Sequence, residues 1–233
     1  LLKSKYGAKI VLKIKNKNFL HFFKPGDFKI ILDGQTIPQH DYHVFMVSLP
    51  KIFFKTNEIF CEPVNFFQSD NKTALKWKKK FKDIKETKVG IHWSTSSLMP
   101  EKDLPLENFD KLSKDISGKF FVLQKNISTD EISKISKNKK IFYFSDMDKS
   151  EKAFLDSIEI IRNLDLVITS DTAVAHLSAT LGKKTWIALP HVADWRWFTD
   201  KKNTKWYSNA TLYRQKKIGD WSGVFETIRD NFK

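Results

Sequence analysis

Residues 164–190 read LDLVITSDTAVAHLSATLGKKTWIALP, and this stretch decides the fold. An apolar, β-branched run ends at Thr169, a polar turn follows at Ser170 and Asp171, and a helical segment starts at once with Thr172 and small residues at Ala173, Ala175 and Ala179. Gly182 stands where a left-handed residue would end that helix, and a second strand-like run follows at 185–189. In an open parallel sheet, ligands gather at the carboxyl ends of strands, where the next helix begins. The first amides of that helix lack partners and its dipole end is positive, which favours a diphosphate. Thr172 and Ala173 would supply those amides, and the Thr172 hydroxyl one more hydrogen bond. Asp171 repels phosphate, so it is assigned a neutral target: it caps the helix or accepts from sugar hydroxyls. His176 lies one turn along from Thr172 on the same face, so its imidazole can point toward the ligand. The residues alone leave the plainer alternative open, an ordinary helix cap and a histidine satisfied in the core.

Outward from this stretch the same alternation continues. Strands are expected at 88–92, 119–123, 141–144, 165–169, 185–189 and 211–213. Helices are expected at 106–115, 129–136, 149–163, 172–181 and 222–231, with Ser128 or Thr129 able to cap the second. The expected fold is therefore α/β, a Rossmann-like parallel sheet with helices on both faces. Before Lys88 the pattern gives a strand at 9–14, a short helix at 18–23, a Pro25-Gly26 turn and a strand at 28–32, as in the closing βαβ unit of another domain. Residues 62–70 read as a linker, which divides the chain into a partial N-terminal Rossmann-like portion with its linker (1–70) and a main domain (71–233). The run 71–82 carries Leu75, Trp77 and Phe81 among lysines. It reads either as a basic helix resting on an anionic membrane or as a solvated helix packed by its aromatic residues, and charge runs favour the second.

Composition narrows the partners. The 233 residues carry a formal charge of +14, but only Arg162, Arg196, Arg214 and Arg229 of the 41 basic residues are arginine. Groups that read phosphates or bases with fixed geometry favour arginine's planar fork, so nucleic acid is not the expected partner. Cys61 is the single cysteine, which excludes an intrachain disulfide and a cysteine-based metal cluster. No apolar run is long enough to span a bilayer and the start lacks signal-peptide order, so the chain reads as cytoplasmic, at most peripheral to the inner membrane. It opens on Leu1, as a processed product or part of a longer frame would.

The run DTAVAHLSATLGKKTWIALP at 171–190 resembles the hallmark of glycosyltransferase family 9, the heptosyltransferase group. The later pieces DWRWF, WY, LYRQ and GDW are similar to the subgroup often fused to tetratricopeptide repeats. VGIHWS at 89–94 resembles the first strand of that family's C-terminal domain, and DYHVFMVSLPKIF at 41–53 the segment closing its N-terminal one. The resemblance implies a GT-B architecture of two Rossmann-like domains, with a nucleoside-diphosphate sugar held mainly by the C-terminal one. It also implies inverting transfer, in which an acidic base deprotonates the acceptor hydroxyl. The expected acceptor is a glycan, lipid-linked molecule or protein, and no metal or cofactor is expected besides the donor.

Carried over by residue, the resemblance assigns Asp171 to the donor sugar, Thr172 and Ala173 to the diphosphate, and His176 to the same region. His92, Trp93 and Ser94 end the first strand at that rim, and Gln124 and Lys125 follow the second strand on the ligand side or form a solvated turn. Lys102 either neutralises charge on the leaving group or is an ordinary loop lysine. Asp194, Trp195 and Trp197, with Arg196, Trp206 and Tyr207, either read and stack on the base or pack a long loop. The family's acidic base lies in a glycine-containing loop near the start of its first domain, and nothing before Lys88 matches it. No catalytic residue is assigned, Asp41 and His43 included, and a non-catalytic nucleotide-sugar-binding or interaction module stands as the alternative.

Overall fold

The computed structural model describes residues 3, 6–23, 26, 28–53, 67, 70–95, 99–199 and 202–232. Cys61, Pro25 and most of the expected linker at 62–70 lie outside them. Near the start, β1 (Val11–Ile14) and β2 (Lys29–Leu32) pair in parallel, with a 3-10 segment, Lys17–Phe22, crossing between them. Then come α1 (Leu49–Phe53) and α2 (Asn71–Phe81). Alternation sets in with β3 (Lys88–His92), α3 (Leu106–Asp115), β4 (Lys119–Val122), α4 (Thr129–Ser136) and β5 (Ile141–Phe142). It continues through α5 (Leu155–Arg162), β6 (Leu166–Ser170), α6 (Ala173–Thr180), β7 (Thr185–Leu189), β8 (Ala210–Arg214) and α7 (Trp221–Asp230).

Strands β3 to β8 form one six-stranded sheet in the order β5-β4-β3-β6-β7-β8, every neighbouring pair parallel. The chain thus winds outward one way from β3, returns to the middle at β6, and winds outward the other way. Adjacent strands diverge in connection only between β3 and β6, the switch point at whose carboxyl ends an open parallel sheet is expected to take its ligand.

Both faces of the sheet are buried, as parallel strands require. Alternation along each strand sorts the core: Val89, Ile91, Phe120, Val122, Leu166, Ile168 and Trp186 pack against α3, α4 and α7. Phe121, Leu123 and Val167 face the opposite way, onto Trp77 and Phe81 of α2, Ile158 and Ile161 of α5, and Val174 and Leu177 of α6. Gly90 sits among this second set, where a Cβ would lie 2.5 Å from Leu164 Cδ1 and 2.9 Å from Leu123 Cδ1. The absence of a side chain lets α5 and its following turn close onto the sheet.

Helix α2 spends its aromatic face internally. Trp77 is 0% exposed, its Nε1 donates to Asp156 Oδ1 at 2.6 Å, and its ring meets Phe144 edge-on at 4.8 Å. Lys76 pairs with Asp156 at 3.1 Å and with Asp146 at 3.0 Å. The helix is therefore packed by its aromatic residues, and Leu75 alone of its three large apolar side chains remains exposed. Among the described residues no helix is long and apolar enough to cross a membrane.

Most expected elements are present, with two corrections. The helix expected from 149 begins at Leu155, because Asp148 and Phe154 both take left-handed backbone (φ 50 and 60) and the residues between them form a loop. Asp148 then caps α5 from that loop, accepting from Asp156 N at 2.7 Å and Ser157 N at 3.2 Å. The strand expected at 141–144 pairs only over Ile141–Phe142, after which Phe144 turns to pack on Trp77 and Phe121.

Candidate functional site

The crevice is built by two strand ends held in register, His92 of β3 beside Thr169 of β6. Beyond Thr169, the turn Ser170-Asp171 leads into α6 through Thr172, whose extended backbone (φ −135, ψ 176) makes it the helix N-cap. Thr172 makes no side-chain cap. Its Oγ1 instead lies 3.4 Å from His92 Nδ1 and 3.3 Å from Thr169 Oγ1, two long contacts from which the hydroxyl is easily redirected. The opening amides of α6 are thus left uncapped, and Ala173 is exposed. At its other end the helix closes in a Schellman arrangement: Gly182 (φ 76) donates to Ala179 O and Lys183 N donates to Ser178 O, each at 3.0 Å.

Opposite Asp171 stands Lys102. It ends the 3-10 turn Pro100–Lys102, and its Nζ donates to Asp171 Oδ2 at 2.7 Å. The two side chains are only 13% and 7% exposed. Asp103, the next residue, fixes this turn to the strand end: it accepts from Thr95 Oγ1 at 2.9 Å and from Ser94 Oγ at 3.3 Å. Ser94 N in turn donates to Gln124 Oε1 at 3.1 Å, and Gln124 is buried. The loops after β3 and β4 are therefore tied together, with Lys102 aimed across them at the start of α6.

On the other side of α6, His176 lies in the electrostatic field of Asp171, Lys102, Asp194 and Arg196. Its ring stacks on Trp197 at 5.1 Å and 19°, and its Nδ1 shares a hydrogen bond with Tyr207 Oη at 3.0 Å. Engaging Nδ1 leaves Nε2 as the nitrogen available to a ligand. Burial lowers the pKa of His176, so the ring is neutral near pH 7. Asp194 pairs with Arg196 at 2.8 Å. Burial opposes the Asp194 charge, yet the hydrogen bonds from the Arg196 amide and guanidinium outweigh it and hold the carboxyl below its ordinary range.

Several residues expected at the rim do other work. Trp93 is 2% exposed, packs in the core under α3, and donates Nε1 to Glu131 Oε1 at 2.7 Å, so its indole belongs to the scaffold. Glu131 is also half of a capping box with Ser128 at the start of α4, which makes Trp93 part of that helix's anchorage. Trp197 is fully buried beneath His176 and offers no face to a base. Trp195 is half exposed, flanked by Trp206 at 6.3 Å and by the Arg196 guanidinium at 4.9 Å. Lys125 is exposed, and Asp41 and His43 are exposed in the N-terminal portion. The Lys102–Asp171 pair and the Tyr207–His176 hydrogen bond were not readable beforehand. Their partners stand 69 and 31 residues apart, and the only signal was that Lys102, Asp171 and Tyr207 fell in loops or turns after strands while His176 fell on the first turns of the helix that follows one. Among the described residues, no cluster of His, Cys, Asp and Glu could hold a metal.

Burial lowers the pKa of His92 from 6.5 to about 4. As pH falls through 6.5 the unfolded chain takes up this proton first, so stability is full above that value and is lost toward pH 4. The loss from this one group is on the order of 3 kcal/mol. Urea midpoints should fall as pH is lowered from neutral toward 4.5, and His92→Asn should flatten that dependence; an unchanged slope in the variant would assign the effect elsewhere.

No family model matches the sequence, and no curated protein matches it significantly. Solved structures of low similarity do match. The glycosyltransferase of family 9 from Veillonella parvula is 10% identical at a TM-score of 0.47, over 70% of this chain and 45% of that one. The E. coli heptosyltransferase WaaC, solved with ADP-2-deoxy-2-fluoro heptose, is 16% identical at 0.44, over 64% and 44%. E. coli ADP-heptose LPS heptosyltransferase II is 11% identical at 0.46, over 71% and 53%. The chain spans about half the length of the structures it matches.

Proposed function

We propose that this chain is the donor-binding portion of a heptosyltransferase-like glycosyltransferase, which moves a sugar from a nucleoside-diphosphate sugar to a glycan or protein acceptor. Residues 71–233 hold the donor, and residues 1–70 belong to a first domain and its linker. The observation that carries this reading is the union, at the switch point of the sheet, of an uncapped helix start and a largely buried cation, Lys102, 2.7 Å from Asp171. Uncapped amides and a cation suit a diphosphate, and a carboxylate beside them suits the hydroxyls of an attached sugar. The resemblance of residues 171–190 to the family hallmark agrees with this assignment residue by residue. Transfer in this reading is inverting: an acidic base of the first domain takes the proton of the acceptor hydroxyl, the acceptor oxygen attacks the anomeric carbon, the bond to the diphosphate breaks, and the leaving nucleotide carries away the electron pair.

One observation favours the alternative, a non-catalytic binding module. The acidic residues described around the site are already engaged, Asp171 by Lys102, Asp103 by Ser94 and Thr95, and Asp194 by Arg196, so none of the three is free to deprotonate an acceptor.

Calorimetry with ADP-, GDP- and UDP-linked sugars tests the shared part of both readings. At least one should bind, and Lys102→Gln should weaken it about ten- to a hundredfold, the cost of one charge-assisted hydrogen bond. Absence of binding to all three families of nucleotide sugar, or indifference to Lys102→Gln, would overturn the reading. Turnover of the donor by the bound protein would then separate the enzyme from the binding module.

A further inference from the structure

The Lys102–Asp171 pair poses a problem for any anion that enters the crevice. It joins two nearly buried side chains, and breaking such a pair leaves a desolvated charge without a partner. A phosphate drawn to Lys102 takes that cation from Asp171, and the orphaned carboxylate then stands beside the phosphate as a like charge. Among the described residues beside the pair, Arg196 is held by Asp194, and His92 and His176 are both neutral near pH 7, so none of these three replaces Lys102. A ligand with hydroxyls next to its diphosphate escapes the penalty, since those hydroxyls can donate to Asp171 as Lys102 leaves.

We infer that the Lys102–Asp171 pair exchanges partners on binding and so makes the crevice select an intact nucleoside-diphosphate sugar over the free nucleoside diphosphate. This rests on the donor-binding reading above and adds to it how the site distinguishes what it takes in from what it must let go. Lys102 passes to the diphosphate, Asp171 passes to the sugar, and neither charge is left bare. Loss of the sugar strands Asp171 against the phosphate, which speeds departure of the spent nucleotide. The specificity comes from a repulsive element that one ligand can silence and the other cannot.

The test is calorimetry on the full chain with matched probes, ADP against ADP-glucose, GDP against GDP-mannose and UDP against UDP-glucose. Wild-type protein should prefer the sugar-linked member of whichever pair binds. Asp171→Asn removes the charge at constant shape, and it should tighten the free diphosphate about tenfold while weakening the sugar-linked form about tenfold. Lys102→Gln should weaken both members by a similar factor and leave their ratio in place, which provides a second reading if the Asn variant folds poorly. Opposite shifts in the Asn variant support the exchange, as does a preserved ratio in the Gln variant. Asp171→Asn shifts of the same sign, no shift for the free diphosphate, or a ratio that collapses in Lys102→Gln would overturn it while leaving donor binding intact. Failure of the wild-type protein to bind any of the six nucleotides overturns both readings together.

Discussion

Ala173→Glu should reduce nucleotide binding a hundredfold or more while leaving the protein as stable as before or slightly more so. Ala173 is exposed at the first turn of α6, so a longer side chain meets no packed neighbour. A carboxylate at a helix N-terminus is favoured by about 0.3–1 kcal/mol through the dipole. The same carboxylate would sit about 5 Å from a bound diphosphate, and at an effective dielectric of about 20 each pair of unit charges there costs roughly 3 kcal/mol. Stability and binding therefore move in opposite directions, which a misfolded variant cannot imitate. Thermal melts and calorimetry on the same preparation measure both, and wild-type affinity in the variant would place the ligand away from α6.

The largest effect on the fold is expected at Trp77. It is fully buried, it holds Asp156 through its indole nitrogen, and it packs edge-on against Phe144. Trp77→Ala removes a large core volume and one of the hydrogen bonds that satisfy a buried carboxylate, for a loss of about 3–5 kcal/mol. For a chain of this size the melting temperature should fall by roughly 10 °C. Trp77→Phe, which keeps most of the volume and drops only the N–H, should recover more than half of the loss. A decrease below about 1 kcal/mol for the alanine variant would mean that α2 is not part of the cooperative core. It would reopen the membrane-surface reading of its lysines.

The extent to which these features were legible in the sequence follows from the range over which each is determined. The strands at 88–92 and 185–189 are set by local β-branched and aromatic runs, and both appear with the expected bounds. The turn from β6 into α6 is equally local, and Gly182 ends that helix as its conformational freedom suggests. The start of α5 was misread by six residues because 149–154 keeps a helix-compatible composition. Nothing local announces that Phe154 will take φ 60, a backbone rarely occupied by a bulky residue.

Residues at the crevice show the same division. Asp171, Thr172 and Lys102 were legible as candidates because strand ends and helix starts are local events. Their mutual arrangement was not, since Lys102 and Asp171 are 69 residues apart and meet only through the pairing of β3 with β6. Trp93 was misassigned although a local signal was present: it continues the alternation of Val89 and Ile91 along β3, which turns its side chain to the core face, where it meets Glu131.

The adjacency of β3 and β6 has one more consequence, for the order of events during synthesis. Lys88 and Asp165, which meet at the root of these two strands, are 77 residues apart along the chain. A ribosome must have released most of the intervening α/β units before the two walls of the crevice can touch, so a half-made polypeptide has no cleft to offer a metabolite. A ligand that binds the finished cleft favours the folded state by mass action, but it cannot template the early steps of assembly.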